Sequence, residues 1–174
     1  MAYDVTIEAI DLRGLVALRA GADGQTRVAE NLGICLPRLP HVLTSDELLV
    51  VPLAADEWLL RADDAEALHL RLDSCLEGLL GAVAVVSDAY SGYRLSGPQV
   101  GDVMAQIVAL NLDDSLPAAD DDNATTCGRT GVGRVAGVVM RTRSPEQFDL
   151  LVDSTHAQYA NTLLHVCAGL DTPT

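Results

Sequence analysis

The chain has 174 residues, 49% of them apolar, and a formal net charge of −14. That is enough apolar material for one compact domain or two small merged ones, and the wrong sign for nucleic acid or an anionic membrane surface. Aromatics make up only 3%, so the interior has to be built from Leu, Val and Ala, and partners are expected to be proteins or small molecules.

In chain order, YDVTIEAIDL and GLVALRAG predict an N-terminal hairpin, followed by a polar loop around Gly21 to Gln25. RVAENLG predicts one short helix ending near Gly33, and Pro37 and Pro40 punctuate an extended stretch after it. Residues 1–44 are thus expected to hold a hairpin, a short helix and a Pro-containing connection. They precede an α+β domain over residues 45–170, merged with them into one compact unit.

ELLVVPLAADEWLLRA predicts a second hairpin that turns between Ala54 and Glu57. A helix is expected next, with Asp63 and Asp64 at its start, Gly81 after its end and Leu68, Leu72, Leu76, Leu79 and Leu80 on one stripe. AVAVVSDAYSGYRLSG predicts one long strand. Gly97-Pro98 opens another helix, in which Val100, Val103, Met104, Ile107 and Val108 share a face. An acidic loop runs from Asp113 to Asn123, then a glycine-containing strand pairs with QFDLLVDS. Ser154 or Thr155 caps a final helix carrying Tyr159, Leu163, Val166 and Leu170. Helices set among mostly antiparallel strands make an α+β fold, a mostly antiparallel sheet covered by helices. No internal repeat is visible.

CGRTGVGRVAGVVMR, from Cys127 to Arg141, has the G-x-G-x-x-x-G spacing of phosphate-cradling turns. A dinucleotide site needs those glycines between a buried strand and a helix. Here five Asp precede them, and Val132, Ala136, Val138 and Met140 alternate after them as in a strand. The glycines are therefore expected in or beside a strand, where they permit a bulge or close backbone packing.

Other chemistry is sparse. Cys35, Cys75, Cys127 and Cys167 form no C-x-x-C pair, and no basic-then-apolar leader precedes them, which points to reduced thiols and a cytoplasmic protein. His41, His69, His156 and His165 are too dispersed for a metal site, and His69 reads as a partly exposed helix histidine. Asp120-Asp121-Asp122-Asn123 lacks the Gly and the closing Glu of a calcium loop and reads as solvated. Ser87, Asp88 and Ser91 beside Tyr90 and Tyr93 could wall a polar pocket, but no base is paired with either serine. Trp58 reads as a core plug, or otherwise as a partner anchor. Arg94 and Arg134 are expected to pair with acidic neighbours. No catalytic, cofactor-binding or metal-ligating residue is assigned from these patterns.

Four stretches, in this order, carry a resemblance: DEWLLRADDAEALHLRL, VSDAYSGYRLSGPQVGDVMAQIVALNLD, GRVAGVVMR and FDLLVDSTHAQYANTLL, with LGICLPRLP as weaker support upstream. The chain resembles the gamma subunit of heterotetrameric sarcosine oxidases, which is related to the folate-binding region of glycine-cleavage aminomethyltransferase. The resemblance implies a ferredoxin-like unit with a small N-terminal β segment. It also implies a complex whose larger alpha and beta subunits hold FAD, FMN, NAD and tetrahydrofolate and oxidise sarcosine to glycine, passing the one-carbon unit to folate and releasing hydrogen peroxide. Enzymatic relatives place a catalytic Asp directly after an Asn at the end of the helix that follows an L-S-G-P-like turn. This chain instead reads Asn111-Leu112, with Asp113 displaced by one. The resemblance therefore implies a non-catalytic subunit that binds no cofactor itself. A stand-alone folate-binding or aminomethyltransferase-like protein, or a regulatory protein of the same fold, are the alternatives.

Overall fold

The computed structural model describes residues 2–45, 47–112, 116, 125–142 and 146–172. In chain order the elements are β1 (Thr6–Ile10), β2 (Leu15–Ala20), α1 (Ala22–Leu32), β3 (His41–Thr44), β4 (Leu49–Ala54), β5 (Glu57–Arg61), α2 (Ala65–Leu76), β6 (Gly81–Val85), β7 (Tyr90–Ser96), α3 (Val100–Ile107), β8 (Thr125–Val132), β9 (Val135–Arg141), β10 (Gln147–Asp153), a 3-10 turn (Ser154–His156) and α4 (Ala157–Ala168). They divide into two compact units, residues 12–87 and residues 1–11 with 88–174. The boundary expected at residue 44 is not where the chain divides. The alternation of polar and apolar residues marks strands without marking which sheet receives them.

In the unit of residues 12–87 the strands lie in the order β3-β4-β5-β2-β6, every pair antiparallel. The β4–β5 hairpin forms as expected, and its turn after Ala54 follows a register shift between Pro52 and Ala54. α1 begins in the segment expected to be a polar loop. Gly21 caps it, Gln25 Nε2 donates to Ala20 O at 2.9 Å, and Gly24 packs so closely that a Cβ there would stand 2.9 Å from Leu76 Cδ2. Close packing of α1 on α2 therefore requires a glycine inside the helix, and that glycine hid the first turns of the helix, of which only RVAENLG was expected. Gly33, at φ 68°, ends it.

α2 is capped by Asp64, whose carboxylate accepts from Ala67 N–H at 2.9 Å. Leu68, Leu72, Cys75 and Leu76 are its buried face. The helix stops at Leu76 because Gly78 turns with φ 74°, so Leu79 and Leu80 leave the expected stripe and Leu80 is 85% exposed. Trp58 is a core residue, 1% exposed, with Nε1–H donating to Pro37 O at 2.8 Å.

In the other unit the order is β1-β7-β10-β9-β8, again antiparallel throughout. Leu95, Met104, Val139, Leu150 and Leu164, each 0% exposed, form the centre of its core. The expected N-terminal hairpin is absent: β1 pairs with β7, while β2 pairs with β5 and β6. Likewise the expected long strand from residue 82 to 97 is two strands, β6 and β7, one in each unit. The polar Ser87-Asp88 step separates them, and Ser87 Oγ accepts from Leu15 N–H at 3.1 Å.

The last helix also differs from expectation. Asp153 caps the 3-10 turn before it, accepting from Thr155 N–H at 2.9 Å and Thr155 Oγ1–H at 2.5 Å. The buried stripe is Ala160, Leu164 and Ala168, whereas Val166 is 61% exposed. Small residues let α4 lie close to the sheet, so the larger apolar side chains flank the contact instead of filling it.

The two units share one connectivity that the sequence conceals. In one, β2, α1, β4, β5, α2 and β6 follow in order, with β3 added beside β4. In the other, β7, α3, β9, β10 and α4 follow in order, with β8 added beside β9. There β1 supplies the final strand from the opposite end of the unit's sequence. Among the described residues no helix is long and apolar enough to cross a membrane.

Candidate functional site

The glycine motif resolves into a hairpin. β8 and β9 pair from Thr126↔Arg141 to Val132↔Val135, leaving Gly133-Arg134 as a two-residue turn. Gly133 has φ 57°, and among the described residues no non-glycine residue has positive φ, the pattern of a type II′ turn with glycine first. A Cβ on Gly133 would stand 2.4 Å from Tyr159 Oη, and that hydroxyl accepts from Arg134 N–H at 3.1 Å. A Cβ on Gly137 would stand 2.9 Å from Leu151 O. The glycines serve a turn and close strand packing, as their strand context predicted. The sequence did not reveal that β8 is a strand of its own.

Beside this hairpin, in the same unit, a groove of about 420 Å³ opens past the end of α3. α3 turns in at Gly97, where φ is 137° and a Cβ would lie 2.3 Å from Asp4 O. After Ile107 the chain straightens: Val108 bridges Val132, and Ala109 N–H donates to Gly131 O at 3.0 Å. This carries Leu110, Asn111 and Leu112 to one wall, with Asp102 and Ala105 of α3 beside them and Arg141 and Phe148 closing the other side. The Arg141 guanidinium carbon is 5.8 Å from the Phe148 ring centroid, a contact that contributes about 0.5–1 kcal/mol, and its Nη1 donates to Leu116 O at 3.1 Å.

Leu112, which follows Asn111, has a half-buried side chain that packs on the core. A hydrocarbon there can neither take nor give a proton. Asp113, the displaced carboxylate, lies outside the described residues, as do Asp120 to Asn123. Asn111 and Asp102 are exposed. Among the described residues the groove therefore combines one anchored cation, an exposed carboxylate and an amide over apolar walls, the kind of lining that small-molecule sites use.

A second groove, of about 310 Å³, lies in the unit of residues 12–87, between Leu32, Ile34, Leu48, Leu68 and Arg71. Arg71 is committed there to Asn31: Nε donates to Oδ1 at 2.6 Å and Nη2 to the backbone carbonyl.

The remaining sequence candidates are structural. Tyr93 Oη–H donates to Ala157 O at 2.7 Å, and burial raises its pKa. Ser91 pairs with Val152 across β7 and β10. Burial pushes the Cys127 thiol up from 9.0 to about 12, which makes it a poor nucleophile. The four cysteines are free thiols. His69 lies half-exposed on α2, and His165 places Nδ1 2.8 Å from Asn161 O on α4. Among the described residues no group of three or more His, Cys, Asp or Glu gathers to hold a metal. Arg94 does pair, with Asp149, and the hydrogen bonds to that carboxylate raise its pKa.

No family model and no curated protein sequence matches the chain. Solved structures do match. One is a chain of the heterotetrameric sarcosine oxidase from Corynebacterium sp. U-96, in complex with pyrrole 2-carboxylate. It is 22% identical with a TM-score of 0.81, and the match covers 95% of this chain and 84% of that one. Another is glycine cleavage system aminomethyltransferase T from Bartonella henselae, 15% identical with a TM-score of 0.60, covering 98% of this chain and 48% of that one. This chain thus spans about half the aminomethyltransferase and 84% of the oxidase chain. The likeness carried by the four sequence stretches is present in the fold across almost the whole chain.

Proposed function

We propose that this chain is the non-catalytic gamma-type subunit of a heteromeric flavin-dependent sarcosine oxidase in the cytoplasm. The observation that carries the reading is the near-complete, two-way coverage of the match to a chain of a heterotetrameric oxidase, at a TM-score of 0.81. The strand order β4-β5-β2-β6, with α1 and α2 on the connections, supports a ferredoxin-like unit, and β9-β10-β7-β1 supports a second one. In this reading larger alpha and beta subunits hold FAD, FMN, NAD and tetrahydrofolate and carry out the oxidation.

This chain's own residues favour a supporting role. The resemblance implies a catalytic carboxylate directly after the asparagine at the end of α3 in enzymatic relatives, and here Leu112 follows Asn111. Arg141 is used in holding Leu116 and Phe148 together, which fixes the wall of the groove instead of presenting a mobile charge to it.

The test is purification of the chain from its native cells under mild conditions. A larger flavoprotein is expected in fixed proportion to it, with flavin absorbance in the same fractions and sarcosine-dependent peroxide release. A homogeneous chain, free of flavoprotein in a native extract that oxidises sarcosine, would refute the reading.

A further inference from the structure

We propose that the outer edge of β6 is the surface on which the larger partner lays an extended segment, adding a strand to the sheet of residues 12–87. The inference deepens the functional reading above and rests on it. β6 pairs with β2 along one edge, with Ala82 opposite Arg19 and Ala84 opposite Ala17. Gly21 N–H donates to Leu80 O, and Val86 N–H to Leu15 O, each at 2.9 Å. Bonded residues alternate in an antiparallel pair. Leu80, Ala82, Ala84 and Val86 therefore face β2, and the N–H and C=O groups of Gly81, Val83 and Val85 point away from it. That outward row has no strand partner among the described residues.

An open edge of this kind templates pairing with another chain unless charge, proline, a bulge or a cover blunts it. The strand in the equivalent place of the other unit, β1, is blunted by a charge: it carries the exposed Glu8. β6 has no such device. No charged residue occurs from Gly78 to Ser87, in a chain of net charge −14. Leu80 and Val85 are 85% and 38% exposed along it.

Charge at the two ends selects the occupant. A second copy pairing antiparallel about Val83 would set Gly78 against the partner copy's Asp88 and crowd Glu77 beside it at both ends of the ladder. It would do so between two chains of net charge −14. The edge therefore suits a different polypeptide. The fitting segment is extended, uncharged over about five residues, and flanked by Arg or Lys that meet Glu77 and Asp88.

The test compares the isolated chain with the complex drawn from native cells through an affinity tag on this chain. On assembly, amide hydrogen exchange at Gly81, Val83 and Val85 is expected to slow by about tenfold or more. Val85→Pro removes one outward donor at an edge position that tolerates proline. It is expected to keep the far-UV spectrum and Trp58 fluorescence of the isolated chain while lowering the partner retained on the tag by about tenfold. Ala84→Lys, which places charge on the exposed face of the strand, is expected to act in the same direction. Unchanged exchange at β6 in a complex that does form overturns the proposal and leaves the functional reading standing. Absence of any partner on the wild-type chain overturns both. Dimerisation of the isolated chain that Val85→Pro abolishes overturns the choice of a foreign strand. If Val85→Pro fails to fold, the exchange measurement on the wild-type complex decides alone.

Discussion

Arg94 and Asp149 face each other across β7 and β10, with Nε and Nη2 of the guanidinium on the two carboxylate oxygens at 2.7 Å each. The pair is asymmetric in exposure: the arginine side chain is 43% accessible and the aspartate side chain 12%. Removing one partner is therefore not equivalent to removing the other.

Arg94→Ala strands a buried carboxylate and is expected to destabilise the unit by about 2 kcal/mol. Asp149→Ala frees an arginine head that can reach water, and its cost should be about half as large. Urea denaturation of both variants checks the order. Equal losses would mean that the carboxylate finds other solvation, and the asymmetry argument would be wrong.

Gly133→Ala is expected to cost about 2 kcal/mol, because alanine must adopt a positive φ and its Cβ meets Tyr159 Oη. Tyr159→Phe removes the oxygen of that clash and also the acceptor for Arg134 N–H. The double variant should therefore lose less than the sum of the two single variants in a double-mutant cycle. Additive losses would place the cost in the backbone and in the Leu163 side chain, whose Cδ2 would lie 2.6 Å from the new Cβ.

The four thiols should react in order of access. Cys35 is exposed and is expected to be alkylated first in the folded protein at neutral pH, whereas Cys127 should react only on unfolding. The Cys127 thiolate is penalised in the fold alone, since its pKa moves from 9.0 to about 12 by burial. Its contribution to stability is thus intact below about pH 9 and declines as pH rises from there toward 12, where the unfolded chain has released the proton and the folded one has not. Mass spectrometry of alkylated peptides checks the order, and early labelling of Cys127 would contradict the burial.

Trp58 is the chain's one tryptophan and sits in the unit of residues 12–87, so intrinsic fluorescence reports that unit. Its emission should be blue-shifted in the native protein and move to the red when that unit opens. Trp58→Phe leaves Pro37 O without its 2.8 Å donor and is expected to lower stability by about 2 kcal/mol.

Local signals were legible where local physics decides the outcome. Asp64 caps α2, Gly33 ends α1, the β4–β5 hairpin turns where the apolar runs break, and Trp58 is buried. What the sequence concealed was set by tertiary contact. Gly24 reads as a loop residue until Leu76 is placed against it, and alternation runs unbroken from β6 to β7 although the two strands belong to different units. Pairing of β1 with β7 joins residues about 85 positions apart, for which a single sequence carries no local cue. The groove beside α3 was visible only through the Asn111-Leu112 departure. Arg141 gave no signal, because its partners Leu116 and Phe148 are apolar neighbours brought together by the fold.

The central claim is that this chain supports a redox assembly and performs no turnover itself. Peroxide release and glycine formation from sarcosine, with and without tetrahydrofolate, should be measured on the isolated chain beside the assembly purified from native cells. The account predicts turnover by the assembly and none by the isolated chain at any concentration. Stoichiometric demethylation of sarcosine by the homogeneous chain alone would contradict it.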